Sequence, residues 1–210
     1  MKQLEIRHRI TNEVLAKEDA DLRNANLTHA SLKDADLRDT DLRNANLTRA
    51  NLTRASLTHA DLRGTDLTHA SLRGTDLTHA DLTHADLRDA SLRDADLRGT
   101  DLTHASLRDA DLRGTDLRNA NLTHARLGGI DLRDADLRGT LGNNKEIKTL
   151  QLGVYITVIS KHGISIGCEQ HTLKEWKEFT DEDISAMDDG ALEWRTTWKD
   201  VIFRVAEETK

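Results

Sequence analysis

From Leu22 to Leu137 a leucine stands at every fifth position without a break, and the residue two places before it is Ala or Thr in all but one unit. Residues 20–139 divide into twenty-four consecutive five-residue units. Their slots read Ala/Thr, then Asp/Asn/Ser, then Leu, then Arg/Lys/Thr, then Asp/Asn/Gly/His/Arg. The departures are Arg126 in the second slot, Gly128 and Gly129 after Leu127, and Ile130 in the first slot. A period of five fits neither the 3.6 of an amphipathic helix nor the 2 of a long strand. Within a unit the first and third slots lie two apart, so in extended backbone both point to one side. Each unit is therefore a short extended stretch and a corner, with its apolar pair inward. One such unit buries too little to offset the entropy of ordering its backbone, so the units must stack as a solenoid.

The flanks depart from this period. In residues 1–19, Leu4, Ile6 and Ile10 alternate with polar residues, Thr11-Asn12 reads as a turn, and Val14-Leu15 resumes an extended run. This segment is expected to be a β cap over the first coil, whose open end exposes leucines and unpaired strand edges. After Thr140 the pattern changes again. A strand is expected through Ile147–Leu152. Val154, Ile156 and Val158 form one arm of a hairpin, with a turn at Lys161-His162-Gly163, and Ile164, Ile166 and Cys168 form the other. Thr172 and Glu175 have capping-box spacing before a helix that carries Leu173 and Trp176. A second short helix starts at Thr180, carries Ile184 and Met187, and ends near Gly190. Leu192, Trp194, Trp198, Val201, Ile202 and Val205 mark one face of a third. The expected organisation is a cap (1–19), an array (20–140) and a small α+β module (141–210).

Runs such as Ala20-Asp21-Leu22-Arg23-Asn24 and Ala45-Asn46-Leu47-Thr48-Arg49 match, unit by unit, the motif of the pentapeptide-repeat family, which this array resembles. The resemblance implies a mainly β fold, a right-handed quadrilateral β-helix with four units per coil and so about six coils. At the roughly 4.8 Å between adjacent strands, six coils make a rod about 29 Å long. Residues twenty apart then stack, and Leu22, Leu42, Leu62, Leu82, Leu102 and Leu122 share one internal column. The tail is similar to that of small phage-type or prophage-type members of the family, through Gln151-Leu152-Gly153, Ile166-Gly167-Cys168, His171-Thr172-Leu173 with Trp176, and Ala191-Leu192-Glu193-Trp194. The lead-in Glu5-Ile6-Arg7-His8-Arg9 with Val14-Leu15 resembles theirs too. That likeness implies no specific activity.

Mean hydropathy of −0.63 with 32% charged residues would suit a disordered chain, but a strict leucine register does not. Proline is absent, as hydrogen-bonded coils require. A lone cysteine, Cys168, excludes an internal disulfide and fits a reducing compartment. No apolar signal segment or membrane-length run is present, so a cytoplasmic, non-membrane protein is expected.

Well-known members of the family bind type II topoisomerases by resembling B-form DNA, which makes DNA gyrase the alternative partner to test. B-DNA carries one negative charge per roughly 1.7 Å, so about 29 Å would carry on the order of seventeen. Residues 20–139 hold 20 Asp against 17 Lys or Arg, a net of −3. Columns Asp21/Asp41/Asp61/Asp81/Asp101 and Asp76/Asp96/Asp116/Asp136 lie beside Arg23/Arg43/Arg63 and Arg98/Arg118/Arg138, a mixed surface. Direct nucleic-acid binding is not expected, because net charge is −7 and no basic stripe carries aromatics.

Histidines stack as well: His84, His104 and His124 in one column, His59 and His79 in another. Such imidazoles can share a metal, but a solvated ladder is the simpler reading, and no metal or cofactor is expected. Cys168 and His171 are the only Cys–His neighbours. The alternation of Cys168 with Ile164 and Ile166 reads as a buried thiol, so no catalytic residue is assigned. His162, in a turn, is expected in solvent. Trp176, Trp194 and Trp198 read as core, although a module this small hides tryptophans only partly, and homodimerisation through it is an alternative role. The reading as a whole is a non-enzymatic scaffold for an unidentified protein partner. The alternatives are a DNA-mimic modulator of gyrase and, given the reuse of blocks such as Leu-Arg-Gly-Thr-Asp, a designed consensus array without native function.

Overall fold

Parallel β-bridges join residues twenty apart, from Asn26 with Asn46 to Asn121 with Leu141. This is the computed structural model of the chain, and it describes residues 5–8, 14–17, 21–143, 146–152, 155–166, 169–188 and 190–209. The stacking distance anticipated from the repeat is therefore present along the array.

The unit Ala60–Gly64 shows how its backbone is satisfied. Ala60 N–H closes a turn on Leu57 C=O at 3.0 Å. Asp61 N–H reaches back to Thr40 C=O at 2.9 Å, while Leu62 and Gly64 N–H reach forward to Asp81 and Thr83 C=O at 2.7 and 3.0 Å. The remaining donor, Arg63 N–H, is taken by its neighbour's side chain, Asp61 Oδ1, at 3.3 Å. All five donors thus have partners, as buried backbone demands. The second slot favours Asp or Asn because a short side-chain oxygen two residues back is what the fourth-slot N–H needs.

Every fifth-slot residue from Asn24 to Gly139 has φ between +56° and +76°. This left-handed residue is the third of a four-residue turn, as in a type II turn. It explains the fifth slot's composition. Gly tolerates the conformation freely, and Asn, Asp and His tolerate it best among the rest. Only Arg49 and Arg54 depart from that set. At Gly99 the need is doubled, since a Cβ there would lie 2.5 Å from the His79 ring of the preceding coil.

The interior is as the pattern requires. All array leucines are buried, Leu72 and Leu97 at 0% exposure, and the first-slot alanines from Ala45 to Ala135 are buried beside them. First-slot threonines at 65, 75, 100, 115 and 140 are equally buried. Their hydroxyls donate to leucine carbonyls, as Thr75 does to Leu52 C=O at 2.8 Å. Gly128 and Gly129 keep the ladder: Asp109 N–H still donates to Gly128 C=O at 2.9 Å, although the turn bond from Ile130 to Leu127 stretches to 3.4 Å.

In the leading segment β1 (Glu5–His8) pairs antiparallel with β2 (Val14–Lys17) and, on its other side, with β3 (Ala30–Ser31) of the first coil. The turn expected at Thr11-Asn12 lies outside the described residues.

The tail forms an antiparallel sheet in the order β4 (Ile147–Leu152), β5 (Tyr155–Ser160), β6 (Gly163–Ile166) and β7 (Glu169–His171). Three helices follow: α1 (Leu173–Glu178), α2 (Asp181–Ser185) and α3 (Ala191–Glu207). Thr172 caps α1 with the anticipated capping box, and Thr180 and Asp183 form a second one on α2. Two expectations are corrected. Strand β7 follows β6 directly; its Glu-Gln-His carries no apolar alternation to announce it. Helix α2 ends at Ser185, and Gly190, with φ of +90°, is the N-cap of α3 instead.

The sheet's two faces serve different cores. Ile147 and Val158 join the leucine core of the array. Ile159 and Ile164 join Trp176, Ile184 and Ile202 under the helices. Gly142, standing where the next leucine would fall, makes the first contact possible, because a Cβ there would lie 2.1 Å from Ile147 C=O.

Leu72→Ala should cost about 2–5 kcal/mol, the range for a leucine cavity in a core that cannot collapse. Ala80→Leu should cost about 1–3 kcal/mol by overpacking the narrow first slot. Urea denaturation of both variants checks this, and a loss below about 1 kcal/mol for Leu72→Ala would contradict the packing described.

Candidate interaction surface

Second- and fourth-slot side chains flank the leucine and point out of the coil. Where the second slot is Asp and the fourth Arg, the two form a fork. Arg23 Nε donates to Asp21 Oδ1 at 2.9 Å and its Nη2 to Oδ2 at 2.6 Å. Ten units carry this pair, with arginines 23, 38, 43, 63, 88, 98, 113, 118, 133 and 138. Many of these arginines also lean on the carboxylate of the next coil. Arg43 Nε lies 3.5 Å from Asp61, Arg98 3.7 Å from Asp116 and Arg118 3.5 Å from Asp136. The acidic and basic columns seen in the sequence are thus one interleaved ladder. In four further units Asp meets Thr, whose hydroxyl donates at 2.5 Å, as Thr103 does to Asp101.

The pairing governs ionisation. Hydrogen bonds from Arg23 and Arg38 hold the Asp21 and Asp36 carboxyls down at about 2. Asp131 is pushed lower still by Arg133. At Asp76 partial burial opposes ionisation, but hydrogen bonds from Thr78 and Thr58 outweigh it and keep the carboxyl below its ordinary value. Chemically, the surface offers fixed dipoles and paired charges rather than a field of one sign.

The histidine columns stack in space. Ring centroids of His84, His104 and His124 are 5.0 and 4.9 Å apart and nearly parallel, and those of His59 and His79 are 5.3 Å apart. Two metal–nitrogen bonds of roughly 2.0–2.1 Å span at most about 4.2 Å, so equivalent nitrogens of adjacent parallel rings do not meet one ion. No group of three His, Cys, Asp or Glu poised for a metal occurs among the described residues.

In the tail, Cys168 lies outside the described residues. His171 sits edge-on to Trp176 and Phe179, with ring centroids 5.2 and 4.8 Å away, and its Nε2 is 3.3 Å from Glu169. Trp176 is buried and donates to Ile164 C=O at 2.8 Å; Trp194 is half-buried and donates to Leu152 C=O at 2.5 Å. Trp198 is half-buried against the same core. His162 departs from expectation: it occupies the turn but is half-buried, and burial lowers its pKa. It lines a cleft of about 310 Å³ between the last coil and the module, together with Leu132, Arg133, Ser165, Gln170 and Glu175. The sequence signalled no cleft there, because its walls come from two differently patterned regions. No described helix is long and apolar enough to cross a membrane.

A family model, Pentapeptide repeats (8 copies), matches residues 20–58, 45–83, 80–119 and 100–139. Among solved structures the chain is similar to HetL, a pentapeptide repeat protein involved in heterocyst differentiation regulation from Nostoc sp. strain PCC 7120. Identity is 37% over 60% of this chain and 63% of that one, with a TM-score of 0.28. It is similar to Rfr23 from Cyanothece 51142 at 28% identity, over 53% of this chain and 90% of that one, with a TM-score of 0.31. It is also similar to QnrB1, a plasmid-mediated fluoroquinolone resistance protein, at 22% identity, 52% and 59% coverage, and a TM-score of 0.32. The chain spans less than two thirds of the length of HetL and of QnrB1. Superpositions this loose carry over neither protein's activity. No curated protein matches the chain in sequence.

Carboxyls held below their unfolded value near 3.9 add stability that is present above that value and lost as pH falls through the folded one. With Asp21 and Asp36 at about 2, array stability should hold at neutral pH and fall as pH drops from about 4 towards 2. Carboxyl-carbon NMR titration checks the cause. Asp36 should titrate near about 2 in the native chain and return towards 3.8 in Arg38→Gln. An unchanged midpoint in that variant would contradict the assignment.

Proposed function

The chain belongs to the pentapeptide-repeat family, and from that premise we propose that it is a non-catalytic scaffold for protein recognition. Its working part is the array, a right-handed quadrilateral β-helix of about six coils, with residues 1–19 and 141–210 closing its two ends. The observation that carries this reading is the interleaved Asp–Arg ladder. Each fork fixes two side chains on a hydrogen-bonded backbone, as in the unit Ala60–Gly64 with all five of its donors paired. A partner that supplies carboxylates, guanidinium groups or amides in a matching register loses little of this surface's entropy on binding. Protein surfaces carry such mixed groups. A reducing cytoplasm suits the lone thiol, and the tail's likeness suggests a phage or prophage setting.

DNA mimicry of gyrase is the rival. A mimic needs a dense field of one sign, and here ten of the array's carboxylates are forked by arginines of their own unit. The net charge of −3 over residues 20–139 falls far below the roughly seventeen charges that a duplex of equal length would carry. Supercoiling by gyrase should accordingly be unaffected by the protein in excess, and dose-dependent inhibition would install the rival reading. Affinity capture from the native host should recover a protein partner. Its binding should fall in Arg98→Gln/Arg118→Gln while the melting temperature moves little, because exposed ion pairs contribute roughly 0–1 kcal/mol each. A partner indifferent to that double substitution would remove the ladder from the interface.

A further inference from the structure

We propose that Gln170 terminates the solenoid: its side-chain amide stands in for the peptide group of an absent next coil, and so denies that edge to the coil of a second copy of this chain. The inference rests on residues 141–210 closing the coil end, and it names how they do so.

Inside the array each second-slot peptide makes two bonds to the coil before it. Asp136 C=O accepts from Leu117 N–H at 2.8 Å, and Asp136 N–H donates to Thr115 C=O at 2.9 Å. One coil on, the groups waiting for such a peptide are Leu137 N–H and Ala135 C=O. Gln170 meets both: its Oε1 accepts from Leu137 N–H at 3.1 Å and its Nε2 donates to Ala135 C=O at 2.6 Å. Ser165 Oγ donates to the same Oε1 at 2.8 Å and fixes the amide's orientation. A primary amide is the side-chain group that offers a carbonyl acceptor and an N–H donor side by side, as a peptide does. Glutamate only accepts, and leucine does neither.

Two of the other three first-slot carbonyls at this end are met in the same way. Ala125 C=O accepts from Asn143 Nδ2 at 3.0 Å and Thr140 C=O from Thr149 Oγ1 at 2.6 Å. Three of the four carbonyls that would receive a next coil thus accept from side chains, and two of those side chains also supply the matching acceptor: Gln170, and Thr149, whose Oγ1 takes Gly142 N–H at 2.9 Å. The occupant excluded is a second copy, because the edge's chemistry repeats by translation: whatever one coil offers, the next accepts. Head-to-tail docking of that kind does not close on itself, so it grows with concentration.

The test compares full-length native chain, Gln170→Leu and Gln170→Glu by amide hydrogen exchange and sedimentation velocity over a concentration series. In the native chain Leu137 N–H should be protected as Leu117 N–H is; no protection there overturns the closure of the coil end by residues 141–210. In Gln170→Leu, exchange at Leu137 should quicken about five-fold or more, the change expected for one lost hydrogen bond, with Leu117 unmoved. Species should also appear that grow with concentration. Gln170→Glu keeps the size and the acceptor, so its Leu137 stays protected, yet it leaves Ala135 C=O bare and should still self-associate beyond the native chain. Native-like sedimentation of both variants at every concentration overturns the terminator role, as does unchanged Leu137 exchange in Gln170→Leu.

Discussion

A five-residue unit has five backbone donors and too little side-chain volume to hide any of them. Everything else in the array follows from satisfying those donors within a coil that repeats every twenty residues. Three of the five, in the second, third and fifth slots, bond to neighbouring coils, and the first closes the corner turn. The fourth has no backbone partner in reach, so the side chain two residues before it supplies one. The leucine column is the hydrophobic consequence of this arrangement as much as its cause. Once the bonds fix the coil, only the first and third slots face inward, and in every unit but that of Ile130 a small residue stands beside the leucine there.

The same constraint explains what was readable in advance. The leucine register is a one-dimensional signal, so burial of Leu72 or Leu97 and the stacking of residues twenty apart could be stated before any coordinates. The left-handed corner could not. Its tolerance for Asn, Asp, His and Gly is visible in the fifth slot, but shared ancestry among duplicated blocks yields the same composition. A φ near +60° at Asp34 and His84 alike shows that the corner imposes this conformation whichever residue fills it. In the tail, helices with capping boxes at Thr172 and Thr180 announce themselves locally. Strand β7 and the half-burial of His162 do not. Both are imposed by packing against the last coil, which no local pattern reports.

The outward surface shows how repetition limits what a protein of this kind can present. An acidic column along one face has to be built from second-slot carboxylates, and those already serve the backbone of their own unit. Arginine in the fourth slot then forks the same carboxylate, because the geometry that places its N–H near Oδ1 also aims its side chain along Oδ2. Neutralisation is therefore local and built in. Excess negative charge can accumulate only at fifth-slot positions such as Asp89 and Asp109, or where Thr replaces Arg. A strongly anionic rod would need a different fourth slot throughout.

A stack whose every layer binds the next has no intrinsic length. Favourable contact between coils neither weakens nor strengthens with number, so the residues that stop the stack matter as much as those that build it. The two ends solve this differently. At the front, β1 pairs backbone to backbone with Ala30–Ser31 and runs antiparallel, a direction that cannot propagate a parallel coil. At the rear the chain turns away at Gly142, fills the last layer with Ile147, and leaves the backbone edge to side chains. Side-chain groups can match a coil's hydrogen bonds without offering a further edge of their own, since their far side carries no repeating N–H and C=O. Strand β7 joins the two cores: its Gln170 meets the backbone edge of the last coil, while its His171 packs edge-on against Trp176 and Phe179.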